Sequence, residues 1–121
     1  MEHLRELANA DALARRWGKK CDLVMLLGVG DENYFIRVQA GAVASVDAAD
    51  GKIRSWDFAI RGPKSAWEAF WATVPAPTYH DLIAMRACGH ITIEGNLQKF
   101  FANILYVKRL LELPRAKRDA A

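Results

Sequence analysis

Residues 89–113, "GHITIEGNLQKFFANILYVKRLLEL", decide how the rest of this chain is read. A short strand over "HITIEG", bounded by glycines, leads straight into an apolar helix that Asn96 is placed to cap. In that helix Leu97, Phe100, Phe101, Ile104 and Leu111 mark one face and Tyr106, Leu110 and Leu113 another, and Pro114 is expected to end it. A helix apolar on more than one side cannot leave all of that surface in water. Its second face needs a ligand, another element or another subunit. We expect either a homodimer through Phe101, Leu105 and Tyr106, or a helix that closes an internal cavity.

Upstream, residues 77–90 read "PTYHDLIAMRACGH" and gather two histidines, an aspartate, a tyrosine and a cysteine. Asp81 suits the cap of a short helix running to Cys88, with Gly89 as its terminator. His80 and Asp81 are sequence neighbours, and neighbours on a helix do not face one another, so no ready His–Asp dyad results. There is no Gly-x-Ser-x-Gly elbow and no His-Glu-x-x-His pair; "GVGDENY" leads its glycines into a strand rather than a helix. The rival to a binding protein is a small α+β enzyme, of isomerase or hydratase type, using His80 or His90 as acid or base.

Before this segment, "GPKSAWEAFWATVPAP" (62–77) predicts a helix with Pro63 in its first turn. Trp67, Phe70, Trp71 and Val74 share its apolar face until Pro75. Further back, "DLVMLLGVG" is a buried strand, "YFIRVQAG" alternates with Tyr34, Ile36 and Val38 on one face, and Asp50-Gly51 sits between two alternating runs as a hairpin turn. Four consecutive antiparallel strands are expected, with a small-residue face of Ala42, Ala44, Val46 and Ala48. Residues 2–18 read as one amphipathic helix closed near Gly18.

At 121 residues the chain fits one domain, 1–121, and its 52% apolar residues exceed what an ordinary core requires. Some of the excess is expected to line a cavity or an interface. Cys21 and Cys88 match no metal spacing and predict reduced thiols, a soluble cytoplasmic protein, no cofactor and no metal. The net charge of +3 is a weak bias, and the aromatics lie in an apolar helix rather than among the cations, so nucleic acid is not an expected partner. Membrane contact is expected to be transient at most.

The order helix, four strands, two helices, strand, long helix resembles the sterol carrier protein 2 family, as does the string "MRACGHITIEGNLQKFFANI". Its pattern of glycine, alternating apolar residues and glycine before the last helix is matched by Gly89, Ile91, Ile93, Gly95 and Leu97; "WDFAIRGPKSAWEAFWA" also resembles the family's strand and acidic-aromatic helix. The chain departs from the pattern in "VPAPTYHDL", in its tryptophans and in Asn96, where an aspartate is usual. The resemblance implies an α+β fold, a five-stranded antiparallel sheet with helices on one side, and an apolar tunnel between them for a lipid, sterol or fatty acyl chain. No catalytic residue comes with it, and we expect a non-enzymatic carrier. The expected lining is Phe58, Trp67, Phe70, Trp71, Met85, Phe100 and Ile104, with Tyr79, His80, Asn103 and Tyr106 as the polar groups and Tyr79 and His80 at the mouth.

Overall fold

The computed structural model describes residues 3–49 and 55–120. Five strands form one sheet: β1 (Leu23–Val29), β2 (Glu32–Gln39), β3 (Ala42–Ala48), β4 (Phe58–Gly62) and β5 (Thr92–Gly95). Their order across the sheet is β3-β2-β1-β4-β5. β1 is central because its apolar run has to be covered on both faces. Leu23, Met25 and Leu27 belong to the main core, while Leu26 joins Phe35 and Ala59 in a smaller cluster behind the sheet, against Val24 and Trp56.

The expected run of four antiparallel strands is corrected here. β1–β2, β2–β3 and β4–β5 are antiparallel, but β4 lies parallel to β1, with Met25 opposite Phe58 and Val29 opposite Gly62. The sheet is therefore mixed, and β3 and β4 do not form a hairpin; Asp50-Gly51 lies outside the described residues. The physical reason is in β4 itself: Phe58, Ala59 and Ile60 are all fully buried, which requires cover on both faces and a partner on each edge. Asp57 fastens the start of that strand to β1, its N–H donating to the Val24 carbonyl at 2.7 Å and its carboxylate accepting from the Val24 N–H at 2.8 Å.

β3 differs from expectation too. Val38 faces Val43 while Ile36 faces Val46, so one extra residue is accommodated in β3 and the alternation shifts. Val43, rather than the alanines around it, is the buried residue, and Asn9 clamps it with bonds to both its N–H and its carbonyl.

Six helices, α1 (Leu4–Ala10), α2 (Ala12–Trp17), α3 (Lys64–Phe70), α4 (Leu82–Ala87), α5 (Leu97–Ala102) and α6 (Ile104–Ala120), send their buried side chains into one core on one face of the sheet. The N-terminal helix is thus two helices. Asp11 is extended between them, caps α2 through the Ala14 N–H and binds Arg109 of α6 with both carboxylate oxygens, at 2.9 and 2.7 Å. α3 stops at Phe70, short of Val74, which is exposed. Arg115 accounts for that end: its Nε donates to the Phe70 carbonyl at 2.8 Å and its guanidinium lies 4.7 Å above the Phe70 ring. The C-terminal helix divides at Asn103 and continues through Pro114 rather than ending there.

Candidate ligand-binding interior

The second apolar face of the C-terminal helix is covered by α1 and α2. Tyr106 is buried there, with Gly18 pressed so close that a Cβ would sit 2.5 Å from the ring. Gly18 closes α2 as expected, with an ordinary φ of −93°, and it also supplies room for the tyrosine. Of the side chains expected at an interface, Phe101 and Leu105 remain exposed and Tyr106 does not.

Between sheet and helices the expected lining residues meet. Phe58, Trp67, Phe70, Met85, Phe100 and Tyr106 are buried in one cluster, with Trp71, Tyr79 and Ile104 packed against it. Phe58 and Phe100 meet edge to face at 5.4 Å, and Trp67 stacks on Trp71 at 5.5 Å. The indole N–H groups are directed to backbone. Trp67 Nε1 donates to the Gly28 carbonyl at 2.9 Å and Trp71 Nε1 to the Leu111 carbonyl at 2.8 Å, in the turn before Pro114. A proline in a helix disturbs the preceding turn, and Trp71 supplies a donor to a carbonyl there. Trp67, Phe70, Met85 and Phe100 have no accessible surface, so no water-sized space touches them. The interior is closed at these side chains.

The polar candidates do not converge. Tyr79 stacks flat on His90 at 4.1 Å, and Thr78 Oγ1 lies 3.1 Å from His90 Nε2. Thr78 has a φ of +74°, an unfavourable conformation for a β-branched residue. His80 is exposed, outside the cluster. Asn103 gives its side-chain N–H to the Lys99 carbonyl at 2.9 Å, within its own helix. Asp81 caps α4 as expected, accepting from the Ile83 and Ala84 N–H groups, and it pairs with Lys108 of α6; that cation and those bonds hold its carboxyl below its usual range, against the opposing effect of burial. Asn96 likewise caps α5 as expected, accepting from the Lys99 N–H at 3.0 Å.

Tyr106 differs from the others. Its hydroxyl is buried and has no hydrogen-bond partner among the described residues. Burial pushes its pKa well up, and Cys21 in the same buried core is pushed up to about 11, so both are neutral groups at ordinary pH. No charged side chain is buried among the described residues; Asp11–Arg109, Asp57–Lys99 and Asp81–Lys108 sit around the edge of the apolar layer. No cluster of three metal-ligating side chains occurs among the described residues, and no described helix is long and apolar enough to cross a membrane.

The sequence reading missed the back of the sheet, where open depressions lie. One, of about 500 Å³, is lined by Gly28, Gly30, Asp31, Asn33, Arg61, Gly62 and Pro63, with Arg61 paired to Glu94 at 2.8 Å. These are polar-edged and separate from the aromatic interior.

Comparison with solved structures places the architecture. A crystal structure of sterol carrier protein 2 superposes with a TM-score of 0.76, covering 94% of this chain and 92% of that one at 14% identity. The chain has the sterol carrier protein 2 fold. The solution structure of TT1886, a conserved hypothetical protein from Thermus thermophilus, matches this sterol carrier fold with a TM-score of 0.71 and 14% identity over 93% of this chain and 82% of that one. A structure of UbiJ-SCP2, a ubiquinone synthesis protein, matches with a TM-score of 0.60 and 14% identity over 93% and 85%. No family model matches the sequence, and no curated protein does. The expected resemblance therefore holds at the level of the fold, with the sheet mixed instead of antiparallel throughout.

Proposed function

We propose that this protein binds and carries a hydrophobic small molecule, of lipid or sterol type, in the layer between its sheet and its helices. The observation that carries the reading is the composition of that layer: aromatic and aliphatic side chains from β4, α3, α4, α5 and α6 meet there without a buried charge. Such a surface gives affinity through apolar burial, roughly 25 cal/mol for each Å² removed from water. Two of the like-folded structures bear names that speak of hydrophobic molecules, a sterol carrier protein and a ubiquinone synthesis protein. Because Trp67, Phe70, Met85 and Phe100 are fully buried, a ligand reaches them by parting the layer. α3 and α4 are the elements suited to move: among the described residues neither has an extended backbone contact with another element, and from α4 Leu82 and Met85 plug the core.

The reading includes no chemical step. His80 stands at the surface, Asp81 is engaged by α4 and Lys108, and His90 is held between Thr78 and Tyr79. Native mass spectrometry of freshly purified protein, followed by titration with a fluorescent fatty alcohol, tests it. A co-purified lipid or saturable 1:1 uptake supports a carrier; absence of both refutes it.

A further inference from the structure

We infer that Tyr106 recognises the polar end of the ligand, and that this end is a neutral hydrogen-bond acceptor, a carbonyl or hydroxyl, and not an ionised carboxylate. The inference rests on the carrier reading above and adds the ligand's head to it. Tyr106 is 1% exposed, and its hydroxyl lacks a partner among the described residues. A buried donor without an acceptor is a destabilising feature, and phenylalanine would fill the same space without it. Packing therefore accounts for the ring, which Gly18 receives, but not for its oxygen.

What the hydroxyl can bind follows from its surroundings. Burial keeps the phenol protonated, so it has an O–H to donate to a carbonyl or alcohol oxygen. Cys21, in the same buried core, is likewise a neutral thiol. The charged groups that act on Cys21 are Asp22, Lys99 and Asp57, and Lys99 is already paired with Asp57 at 3.2 Å. A carboxylate brought to Tyr106 would meet one donor in a layer whose described residues bury no charged side chain, and an unpaired charge in an apolar interior is strongly disfavoured. A ketone, ester or alcohol loses far less hydration and satisfies the tyrosine.

The test uses three pyrene-labelled probes of equal chain length, an alkane, a methyl ketone and a carboxylate, titrated at neutral pH into the parent protein and into Tyr106→Phe. The alkane corrects for apolar burial. We expect the ketone's advantage over the alkane to fall about tenfold in the variant, the factor equivalent to one hydrogen bond, while the carboxylate-to-alkane ratio stays the same. Thermal melts of both proteins establish that the variant is folded. If ketone and alkane bind but their ratio is the same in both proteins, or the carboxylate binds the parent more tightly than the ketone, the assignment of Tyr106 is wrong and the carrier reading stands. If no probe binds either protein, the carrier reading fails and takes this assignment with it.

Discussion

Replacing Tyr106 by phenylalanine should make the ligand-free protein more stable, although it deletes a polar atom from the centre of the fold. In the unfolded chain the phenol is hydrated, whereas in the folded state its hydroxyl is buried with no partner among the described residues. Such a group costs about 1–3 kcal/mol, and removing it recovers part of that, less a small loss of packing where the oxygen was. We take about 1 kcal/mol as the net gain. For 121 residues the unfolding entropy is about 0.25 kcal/mol/K, so the melting temperature should rise by about 4 °C. Urea unfolding followed by tryptophan fluorescence gives the free energy, and differential scanning calorimetry the temperature. A variant less stable than the parent by about 1 kcal/mol would mean that the hydroxyl is bonded in the folded protein, and both this reasoning and the role assigned to Tyr106 would be lost.

Other predictions follow from the same packing. Gly18→Ala places a methyl against the Tyr106 ring and 3.1 Å from the Ala14 carbonyl, and urea melts should show a loss of about 1–3 kcal/mol from overpacking. Asp11→Ala removes a helix cap and the Arg109 pair, which should cost about 1–2 kcal/mol at pH 7. Arg109 holds the Asp11 carboxyl below its ordinary 3.8, so this contribution is complete above the unfolded pKa and is lost as pH falls through the lower folded value. Parent and variant melting curves should therefore begin to converge as pH falls below about 4 and meet below the folded value; a gap that persists into strong acid would remove the ion pair from the account. Trp71→Phe deletes the bond to the Leu111 carbonyl and should destabilise by about 1 kcal/mol, with faster amide exchange in the turn before Pro114.

The elements were legible in the sequence wherever a local signal set them. Asn96 and Asp81 cap the helices they precede, and the alternation in β2 puts Tyr34, Ile36 and Val38 against the core as read. The aromatic interior was legible too, because Trp67 and Phe70 share a helical face and the glycine-bounded strand leads Phe100 into the same layer. What could not be read was the non-local pairing. Asp50-Gly51 signals a hairpin on local grounds, yet the decisive fact, that β4 is buried on both faces and needs β1 beside it, depends on strands far apart in the chain. Arg115 ending α3 and Asp11 meeting Arg109 are likewise contacts between distant positions, with no spacing rule to announce them. His80 and Asn103 are expected among the polar groups of the pocket; in the fold His80 is exposed and Asn103, at the end of α5, donates to the Lys99 carbonyl.

The four tryptophans offer the most direct test of the central claim, since they report separately on interior, back face and surface. Trp67 and Trp71 pack in the aromatic interior, Trp56 against the cluster behind the sheet, and Trp17 is exposed on α2. Their indole N–H resonances, assigned by single Trp→Phe substitutions in a nitrogen-15 correlation spectrum, can be followed while a long-chain ketone is added. A ligand lodged between sheet and helices should shift the Trp67 and Trp71 signals saturably and leave those of Trp56 and Trp17 in place. Shifts confined to Trp56 or Trp17, with Trp67 and Trp71 unmoved at saturation, would contradict it.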